Sequence, residues 1–496
     1  MTNPTAPIEL TGSASRFGPG VDLPAEVCDQ LAAIAPVVDD PVTRAETSRD
    51  WWPLALHWSL DGQVPAVAGL VCRPSTTEQV AAIAATCSAA RVPLTVAAGR
   101  SGVSGGSVPV HGGVVLDITG LTGIVDVDVE SGVVAVRAGM FGPDLDAALV
   151  DHGLTIGHLP QSYALATVGG WVACRGAGQY STRYGKIEDL VVGLEVVLAD
   201  GRVVRTGGTP AAATGPDLDE LFCGSEGTLG IITTVWLRAH RIPATERRAA
   251  YAFSSFAAGV AACRQVLQAG ATPAVLRLYD EVESMGSGRG GDGSSCTLLV
   301  LDEGHPTIVD ATMAVVAEAC AHARPESDDL VATWLEHRND TGALQALTRQ
   351  GYVVDTLEVA APWSRLMELF TEVRAALLAV PGTKVASCHL SHSYPDGACL
   401  YFTFVATPDD GVEATYVALW DAGQRAALAH GANVSHHHGI GLNRGRFMAE
   451  ALGAGADVLA LIKGALDPAG ILNPGKLGLP SPFGPPPWPV ASGTSR

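Results

Sequence analysis

The sequence is poor in basic residues. It contains 31 lysines and arginines against 51 aspartates and glutamates, which gives a formal net charge of −20 at pH 7. A negative field of this size opposes nonspecific binding to nucleic acid and to anionic membranes. We therefore expect no nucleic-acid partner.

Several other signals are missing. The ten cysteines form no Cys-x-x-Cys pair and no metal-type spacing, and most lie in apolar surroundings such as Val71-Cys72. This pattern is typical of reduced core residues in a cytosolic protein. No apolar run is long enough to span a bilayer, and the first five residues lack the features of a secretion signal. We expect a cytoplasmic protein without a transmembrane segment.

The length and the local patterns predict more than one domain of mixed architecture. A chain of 496 residues exceeds what one hydrophobic core usually organises. The run from Pro65 to Val71 reads as a strand, and Ser75 with Glu78 predicts a capping box for the helix that follows. Further short β-branched runs are separated by glycine turns, so the sequence predicts an α+β fold rather than repeated Rossmann units.

Three glycine-rich loops carry the most information. The first, Val96 to Gly106, follows the apolar run Pro93 to Val96, and a strand followed by a glycine loop can expose N–H groups to a phosphate. The second lies within Gly157 to Asp189, and the third, Gly224 to Gly230, precedes a strand-like run. Any one of these loops could be an ordinary turn. Together they predict a binding site for one large dinucleotide.

The order of these loops, with Lys186 to Leu190 and Thr214 to Asp217, resembles the flavoproteins with a vanillyl-alcohol-oxidase type FAD domain, also called the PCMH type. Within that superfamily the sequence is most similar to the alkylglycerone-phosphate synthases. The resemblance implies an α+β fold with a two-subdomain PCMH-type FAD-binding domain, an α/β cap domain and a C-terminal helical segment that returns to the flavin. The expected divisions are a helical N-terminal lead-in (1–60), the FAD-binding domain (61–243), the cap or substrate domain (244–430), the closing segment (431–480) and a proline-rich surface tail (481–496).

The resemblance also implies which residues contact FAD. Relatives that link FAD covalently have histidine where this chain has Ser101, so we expect dissociable, non-covalent FAD. Arg100 and Gly102 depart from the Gly-Gly-Gly-Thr-Ser of other relatives, and Arg100 could instead supply a charge-assisted contact to the pyrophosphate. The implied cofactor-binding residues are Val96, Ala97, Ala98, Gly99, Arg100, Ser101, Gly102, Gln161, Ser162, Thr167, Gly169, Gly170, Ala173, Cys174, Arg175, Gly176, Gly224, Ser225, Glu226, Gly227, Thr228, Leu229 and Gly230.

The catalytic residues implied by the resemblance are a tyrosine, an arginine and a run of histidines. Tyr394 matches the acid/base tyrosine of the synthases, and Arg277 matches an arginine that would stabilise negative charge near the flavin. A phenol has an unperturbed pKa of about 10 and needs help near neutral pH. His436, His437 and His438 match a histidine cluster that could supply this help.

Adjacent histidines are more often a metal site or a surface turn than a catalytic set. Consecutive side chains on a strand point to opposite faces, so one or two of the three would reach the flavin. Flavin-dependent 2-hydroxyacid dehydrogenases of the superfamily carry a metal motif in which glutamate precedes His-Gly. His437 occupies that position here, and the partner segment His-x-Gly-Asp-Gly-Asn is absent. We therefore expect no metal and disfavour that activity.

Three other polar residues lie in the segments that resemble the family, and each has two possible roles. Lys476 could approach the flavin or be a solvated lysine in a proline–glycine turn. Glu226 and Asp189 could face the flavin or hold their loops together through local hydrogen bonds.

Two reactions remain for such a site, and each takes a small-molecule or lipid-like substrate. In the first, a hydroxylated substrate loses a hydride to flavin N5; in the second, a redox-neutral ether-lipid synthesis runs through a flavin N5 adduct. The synthases usually present a phosphate-binding arginine where our register places Leu344, although Arg338 or Arg349 could compensate. This departure favours the FAD-dependent oxidoreductase. A homodimer is expected by analogy.

Overall fold

The computed structural model describes residues 8–286 and 293–489 of the chain. Most strands lie in three sheets, and two short pairs join Ala14–Ser15 to Gln63–Val64 and Leu154–Thr155 to His240–Arg241. No helix in these two ranges is long and apolar enough to cross a membrane.

A four-stranded sheet lies below the first glycine loop. Its three longer strands are parallel, and the order across the sheet is Val37–Val38, Leu70–Cys72, Val114–Asp117, Leu94–Ala97. The helix Thr77–Ala90 connects two of them. Its N-cap is Thr76, which accepts a hydrogen bond from the N–H of Gln79, so the prediction of Ser75 and Glu78 was wrong by one residue. The side chain of Gln79 in turn accepts a hydrogen bond from the N–H of Ser75. The observed capping residues, Thr76 and Gln79, therefore each lie one position after the predicted residues, Ser75 and Glu78.

A five-stranded antiparallel sheet completes this half of the molecule. Both sheets contribute to one core that includes Leu94, Leu116, Val136 and Val235. The strand order is Val203–Gly207, Val191–Val197, Ile231–Arg238, Val133–Arg137, Ile124–Asp128. The helices of this half are Ala25–Ile34, Pro41–Thr47, Pro53–Leu60, Thr77–Ala90, Gly142–Val150, Val168–Ala173, Ser181–Tyr184, Ile187–Leu190 and Leu218–Phe222.

The other half is a seven-stranded antiparallel sheet with most of its helices on one face and the helix Asp329–His337 on the other. Its order is Arg324–Glu326, Thr245–Phe253, Cys296–Gly304, Val275–Tyr279, Thr383–Ser393, Gly397–Ala406, Val353–Pro362. The helices are Phe256–Gln268, Glu281–Ser284, Pro306–Ala319, Asp329–His337, Gly342–Arg349, Leu366–Ala379 and Val412–Ala429.

Side-chain alternation gives this sheet one apolar face and a second face that carries a smaller apolar cluster around Leu299 and Leu301 beside a row of polar residues. The apolar positions of its central strands, such as Leu390, Leu400 and Phe402, are buried against the helices. The residues between them point the other way because successive side chains on a strand alternate. His389 pairs with Tyr401, and Tyr401 pairs with Glu358, so polar residues form a row across three strands.

The C-terminal part of the chain returns to the first sheet. Leu94 donates its N–H to the carbonyl of Ile471, and Asn473 donates its N–H back to Leu94, both at 2.8 Å. Lys476 is fully buried and donates to the carbonyl of Val108 at 2.6 Å, so its interpretation as a solvated lysine was wrong. The helices Met448–Leu452 and Gly455–Leu466 precede this return.

The expected proline-rich surface tail is anchored over its first nine residues. Trp488 is 5% exposed, and its ring centroid lies 4.8 Å from that of Trp52 and 6.0 Å from that of Trp58. Burial of the indole ring among other aromatic rings overrides the polar and proline-rich composition around it. The rest of the predicted tail, residues 490–496, lies outside the described residues.

Candidate active site

The structure brings the three glycine loops into direct contact. A Cβ atom at Gly99 would lie 2.0 Å from the carbonyl oxygen of Leu165, so only glycine allows the first and second loops to approach this closely. Glu226 of the third loop donates its N–H to Ala173 at 2.9 Å, and Gly227 faces Val96 of the first loop. The three loops therefore adjoin one another at Gly99, Glu226 and Gly227.

The first loop carries a run of free backbone donors. Within the described part of the chain, the N–H groups of residues 99–106 donate no hydrogen bond to another residue. Backbone N–H groups in folded proteins are nearly always paired, and successive free donors in a loop form a concave site for anions. This loop fits the cofactor that the resemblance implies, because the pyrophosphate of bound FAD would supply acceptors for these N–H groups.

Two arginines in these loops are engaged by the protein itself. Arg100 donates to the carbonyl of Ala98 and lies 4.0 Å from Asp117, with a side chain that is 7% exposed. Arg175 pairs with Glu188 at 3.3 Å and Glu220 at 2.6 Å. A phosphate contact from Arg100 would require its guanidinium to leave Asp117, so we assign both residues to the site through their backbone only.

The carboxylates of Glu226 and Asp189 hold loops in place by accepting hydrogen bonds from backbone N–H groups. Glu226 is buried and accepts N–H bonds from Ile440 at 2.5 Å and Gly441 at 2.8 Å, which fixes the C-terminal segment on the third glycine loop. Burial raises the pKa of Glu226. Asp189 accepts the N–H of Lys186 at 2.8 Å and caps the helix Ile187–Leu190.

Tyr394 and His436 form a hydrogen-bonded pair beside these loops. The phenol oxygen of Tyr394 lies 2.7 Å from Nε2 of His436. Lys186, which follows the second loop, donates to the carbonyl of His436 at 2.8 Å and holds that residue against the FAD-binding half. Burial raises the pKa of Tyr394 and lowers the pKa of His436 well below its ordinary value. Both groups are therefore neutral near pH 7, and the phenol can donate to the imidazole when the ring proton of His436 is on Nδ1.

The three adjacent histidines have different partners. Nδ1 of His436 lies 2.9 Å from Nδ1 of His437, which extends the chain from Tyr394. His438 turns to the opposite side, with Nδ1 3.0 Å from Glu358. Two of the three histidines therefore belong to the Tyr394 cluster, and the third belongs to the support beneath it.

That support is a buried ion pair. Arg444 donates to both carboxylate oxygens of Glu358, at 2.9 and 2.5 Å, and Ser435 donates to the same group at 2.6 Å. Burial alone would raise the pKa of Glu358, but Arg444 and His438 lower it well below its ordinary value. Glu358 also accepts the N–H groups of His437 and His438, so one carboxylate fixes the backbone of the histidine turn.

Arg277 lies in a separate polar chain on the same face of the sheet. Its guanidinium is 2.7 Å from Nε2 of His389, whose Nδ1 lies 2.9 Å from Glu283. The His389 ring stacks on Tyr401 with centroids 4.7 Å apart, and Tyr401 in turn stacks on His437 at 6.0 Å. The rings of His389 and Tyr401 thus connect Arg277 to His437 of the Tyr394 cluster.

The sequence reasoning did not include His392. A register shift lies between Ser391 and Ser393, and His392 has a φ of +52°. Its ring centroid lies 5.1 Å from that of His436 and 4.9 Å from that of His437. A weak signal existed, because His392 precedes Tyr394 by two positions at the end of a strand.

Arg338 lies near the same site. Leu344, which takes the position of the synthases' phosphate-binding arginine in our alignment, carries no charge. The guanidinium carbon of Arg338 lies 5.2 Å from the ring centroid of Tyr180 and 5.7 Å from that of Trp334. Nη1 is buried without a hydrogen-bond partner, and no carboxylate of the described residues lies within 4.0 Å of this side chain. Arg349 is on the exposed side of its helix.

Comparisons with known proteins agree with this geometry. The family model for the FAD binding domain matches residues 68–207, and the model for the C-terminal domain of FAD-linked oxidases matches residues 242–477. The chain is 31% identical over 426 residues to the uncharacterized FAD-linked oxidoreductase YgcU of Escherichia coli O157:H7, which covers 82% of this chain and 88% of that protein.

Two further relatives define the wider group. An alkyldihydroxyacetonephosphate synthase of Trypanosoma brucei brucei is 31% identical over 407 residues, covering 74% of this chain and 65% of the synthase. The solved structure of p-cresol methylhydroxylase with substrate bound superposes with a TM-score of 0.73 at 17% identity, covering 92% of this chain and 96% of that chain. The chain belongs to the FAD-linked oxidoreductases, with FAD as its cofactor.

Proposed function

We propose that this enzyme oxidises a small or lipid-like hydroxylated substrate by hydride transfer to N5 of non-covalently bound FAD. The observation that carries the proposal is the Tyr394–His436 pair, with 2.7 Å between the phenol oxygen and Nε2, held beside the glycine loops. When bound, FAD supplies the hydride acceptor, and a second substrate such as oxygen removes the electrons.

The protein's own part in this reaction is a proton transfer. An alcohol that loses a hydride from carbon must also lose its hydroxyl proton. Tyr394 would accept that proton as it gives its own proton to Nε2 of His436. Nδ1 of His436 lies 2.9 Å from Nδ1 of His437, so the second imidazole can accept the proton that His436 releases. Arg277, which Glu283 balances through His389, would stabilise negative charge that develops at the site.

A redox-neutral synthase is the second candidate. The synthase of T. brucei is among the relatives of this chain. By sequence resemblance, Tyr394 matches the acid/base tyrosine of the synthases. Arg338 has no carboxylate partner among the described residues, so it could bind the phosphate of an acyl-glycerone phosphate in place of the expected arginine. We rank this reaction below oxidation because the position at which the synthases present their phosphate-binding arginine is Leu344 here, which carries no charge.

The visible spectrum of the flavin separates these reactions. The purified holoenzyme is mixed anaerobically with a panel of alcohols and 2-hydroxy acids and with an acyl-glycerone phosphate. We expect an alcohol to bleach the oxidised flavin band. Release of fatty acid from the ester, with no bleaching by any alcohol, would show the synthase reaction instead. Bleaching by hydroxy acids alone would identify a 2-hydroxyacid dehydrogenase.

A further inference from the structure

Three imidazoles converge beside Tyr394. His392, His436 and His437 each offer one ring nitrogen, and these three nitrogens lie within 4.8 Å of one another. His392 and His436 are buried, and His437 is half-buried. We propose that these three residues bind one divalent transition-metal ion, of which Zn²⁺ is the probe of choice, and that this ion switches off the proton transfer through His436. The second part of the proposal rests on the function proposed above.

Neighbouring hydroxyl groups leave the correct nitrogens free. Nδ1 of His392 lies 2.7 Å from the hydroxyl of Ser181, and Nε2 of His436 lies 2.7 Å from the phenol of Tyr394. A metal-bound histidine typically donates its other ring N–H to such an oxygen, which fixes the ring and its tautomer. The nitrogens left for a metal are Nε2 of His392 and Nδ1 of His436, with Nδ1 of His437 only 2.9 Å from the latter.

The distances are close to those of a tetrahedral site. Two imidazole nitrogens on one zinc ion, each at a Zn–N distance of about 2.0–2.1 Å, are separated by about 3.3 Å. The Nδ1 atoms of His436 and His437, 2.9 Å apart, are slightly closer than this, and all three ligand nitrogens lie within 4.8 Å of one another, so no separation would have to shorten by more than about 1.5 Å. Three protein ligands leave one position for water or another small ligand.

The chemistry of the donors favours a transition metal over a hard cation. Imidazole suits Zn²⁺, Cu²⁺ and Ni²⁺, whereas Mg²⁺ and Ca²⁺ prefer oxygen ligands. The imidazoles are uncharged near neutral pH because burial lowers the pKa of each. Lys186, which contacts the backbone of His436, is paired with Glu188 at 3.0 Å, so its repulsion of a metal ion is reduced.

Metal binding would reverse the hydrogen bond to Tyr394. In the proposed reaction Nε2 of His436 is unprotonated and accepts the phenol proton, while Nδ1 carries the ring proton. A metal ion on Nδ1 requires the ring proton to sit on Nε2, where it is donated to the oxygen of Tyr394. His436 can then no longer accept a proton from the tyrosine.

Binding is tested directly by equilibrium dialysis of the untagged holoenzyme against ZnCl₂, followed by elemental analysis. We expect one zinc ion per chain in the wild type, and at least a tenfold loss of affinity in His392→Ala and in His437→Ala. His430→Gln is the matched control, because this histidine is partly exposed, pairs with Glu368 and should not affect zinc binding. Absence of bound zinc in the wild type, or wild-type zinc affinity in the two ligand variants, would overturn the proposal.

A second variant separates ligand loss from misfolding. His392→Asn keeps an amide that can hydrogen-bond to Ser181 but lacks the second ring nitrogen. Its FAD content and circular dichroism should match those of the wild type, while its zinc affinity should fall as in His392→Ala. Wild-type zinc affinity in this variant would show that His392 is not a ligand.

The consequence for proton transfer has its own measurement. With a substrate that bleaches the flavin, saturating zinc should slow anaerobic reduction at least tenfold, and a chelator should restore it. Zinc that binds at His392 and His437 without slowing reduction would refute the switch while leaving the metal site established. The dialysis needs no substrate, so failure of the proposed oxidation would be recognised separately.

Discussion

At the scale of single residues, Tyr394 is the side chain whose loss should affect the chemistry most. Tyr394→Phe removes the proton donor to His436 but keeps the ring that fills the site. General acid–base groups typically contribute about 10²–10⁴-fold, so anaerobic flavin reduction by an active substrate should slow by that factor. Stopped-flow spectroscopy measures the rate. The control is Tyr251→Phe, on the strand Thr245–Phe253 of the seven-stranded sheet. A rate within a few-fold of the wild type would remove Tyr394 from the mechanism.

Ser101 predicts how FAD is attached to the enzyme. Its hydroxyl lies in the first glycine loop where covalently linked relatives have histidine, so we expect acid precipitation to release all of the FAD into the supernatant. Absorbance of the supernatant and fluorescence of a denaturing gel measure the two fractions. Flavin retained on the protein band would show that another residue forms a covalent link.

Asp50 should give the enzyme a characteristic dependence of stability on pH. Burial raises the pKa of Asp50 to about 7, while the nearby Lys476 acts to lower it. An acid whose pKa is higher in the folded than in the unfolded state binds more protons when folded, so the free energy of unfolding falls as pH rises from about 4 to 7. The slope from one such group is at most about 1.4 kcal/mol per pH unit.

Asp50→Asn tests this expectation. Denaturant unfolding of the wild type and the variant, each in excess FAD, should give free energies that diverge across pH 4 to 7, with the variant losing less stability as pH rises. Parallel curves across that range would show that Asp50 is ionised in the folded enzyme throughout.

At the scale of elements, the histidine turn depends on the strand Val353–Pro362. Glu358 on this strand pairs with Arg444, and removal of one partner from a buried ion pair typically costs about 3–5 kcal/mol. Glu358→Gln should therefore lower the free energy of unfolding by about that amount. Glu413→Gln breaks the half-exposed pair with Arg16 and should cost less than about 1 kcal/mol. Similar losses in the two variants would contradict a special role for the buried pair.

Elements formed by local signals were predictable, and contacts between distant elements were not. The glycine loops could be located because a strand followed by glycines is a signal within a few residues. The N-cap was misplaced by one position because Ser75, Thr76 and both possible N3 partners are all good capping residues. The Glu358–Arg444 pair and the meeting of His392 with His436 join separate elements, and one sequence holds no local pattern for such pairings. Trp488 was missed for the same reason, because its partners lie at the opposite end of the chain.

At the scale of the whole molecule, Trp488 joins three regions of the chain. It contacts Trp52 and Trp58 of the N-terminal region and Tyr416 of the cap half. Truncation of a buried Trp to Ala typically costs about 3–5 kcal/mol, so Trp488→Ala should lower the free energy of unfolding by that amount. Leu461→Ala, at a side chain that is 74% exposed, is the control and should have little effect. Equal effects would show that the aromatic cluster does not contribute to stability.

The return of the C-terminal segment to Leu94 has a consequence for synthesis of the enzyme in the cell. Leu94 and its partner Ile471 are 377 positions apart, and every residue between them must be translated before this sheet edge is covered. At about 5–20 residues per second, the nascent chain presents an open edge beside its cofactor loop for roughly 20–75 s. Asn473, which donates to Glu226 and Gly106, arrives at the end of that interval. Stable capture of FAD is therefore a post-translational event, and the half-made enzyme is the stage at which chaperones have an exposed strand to protect.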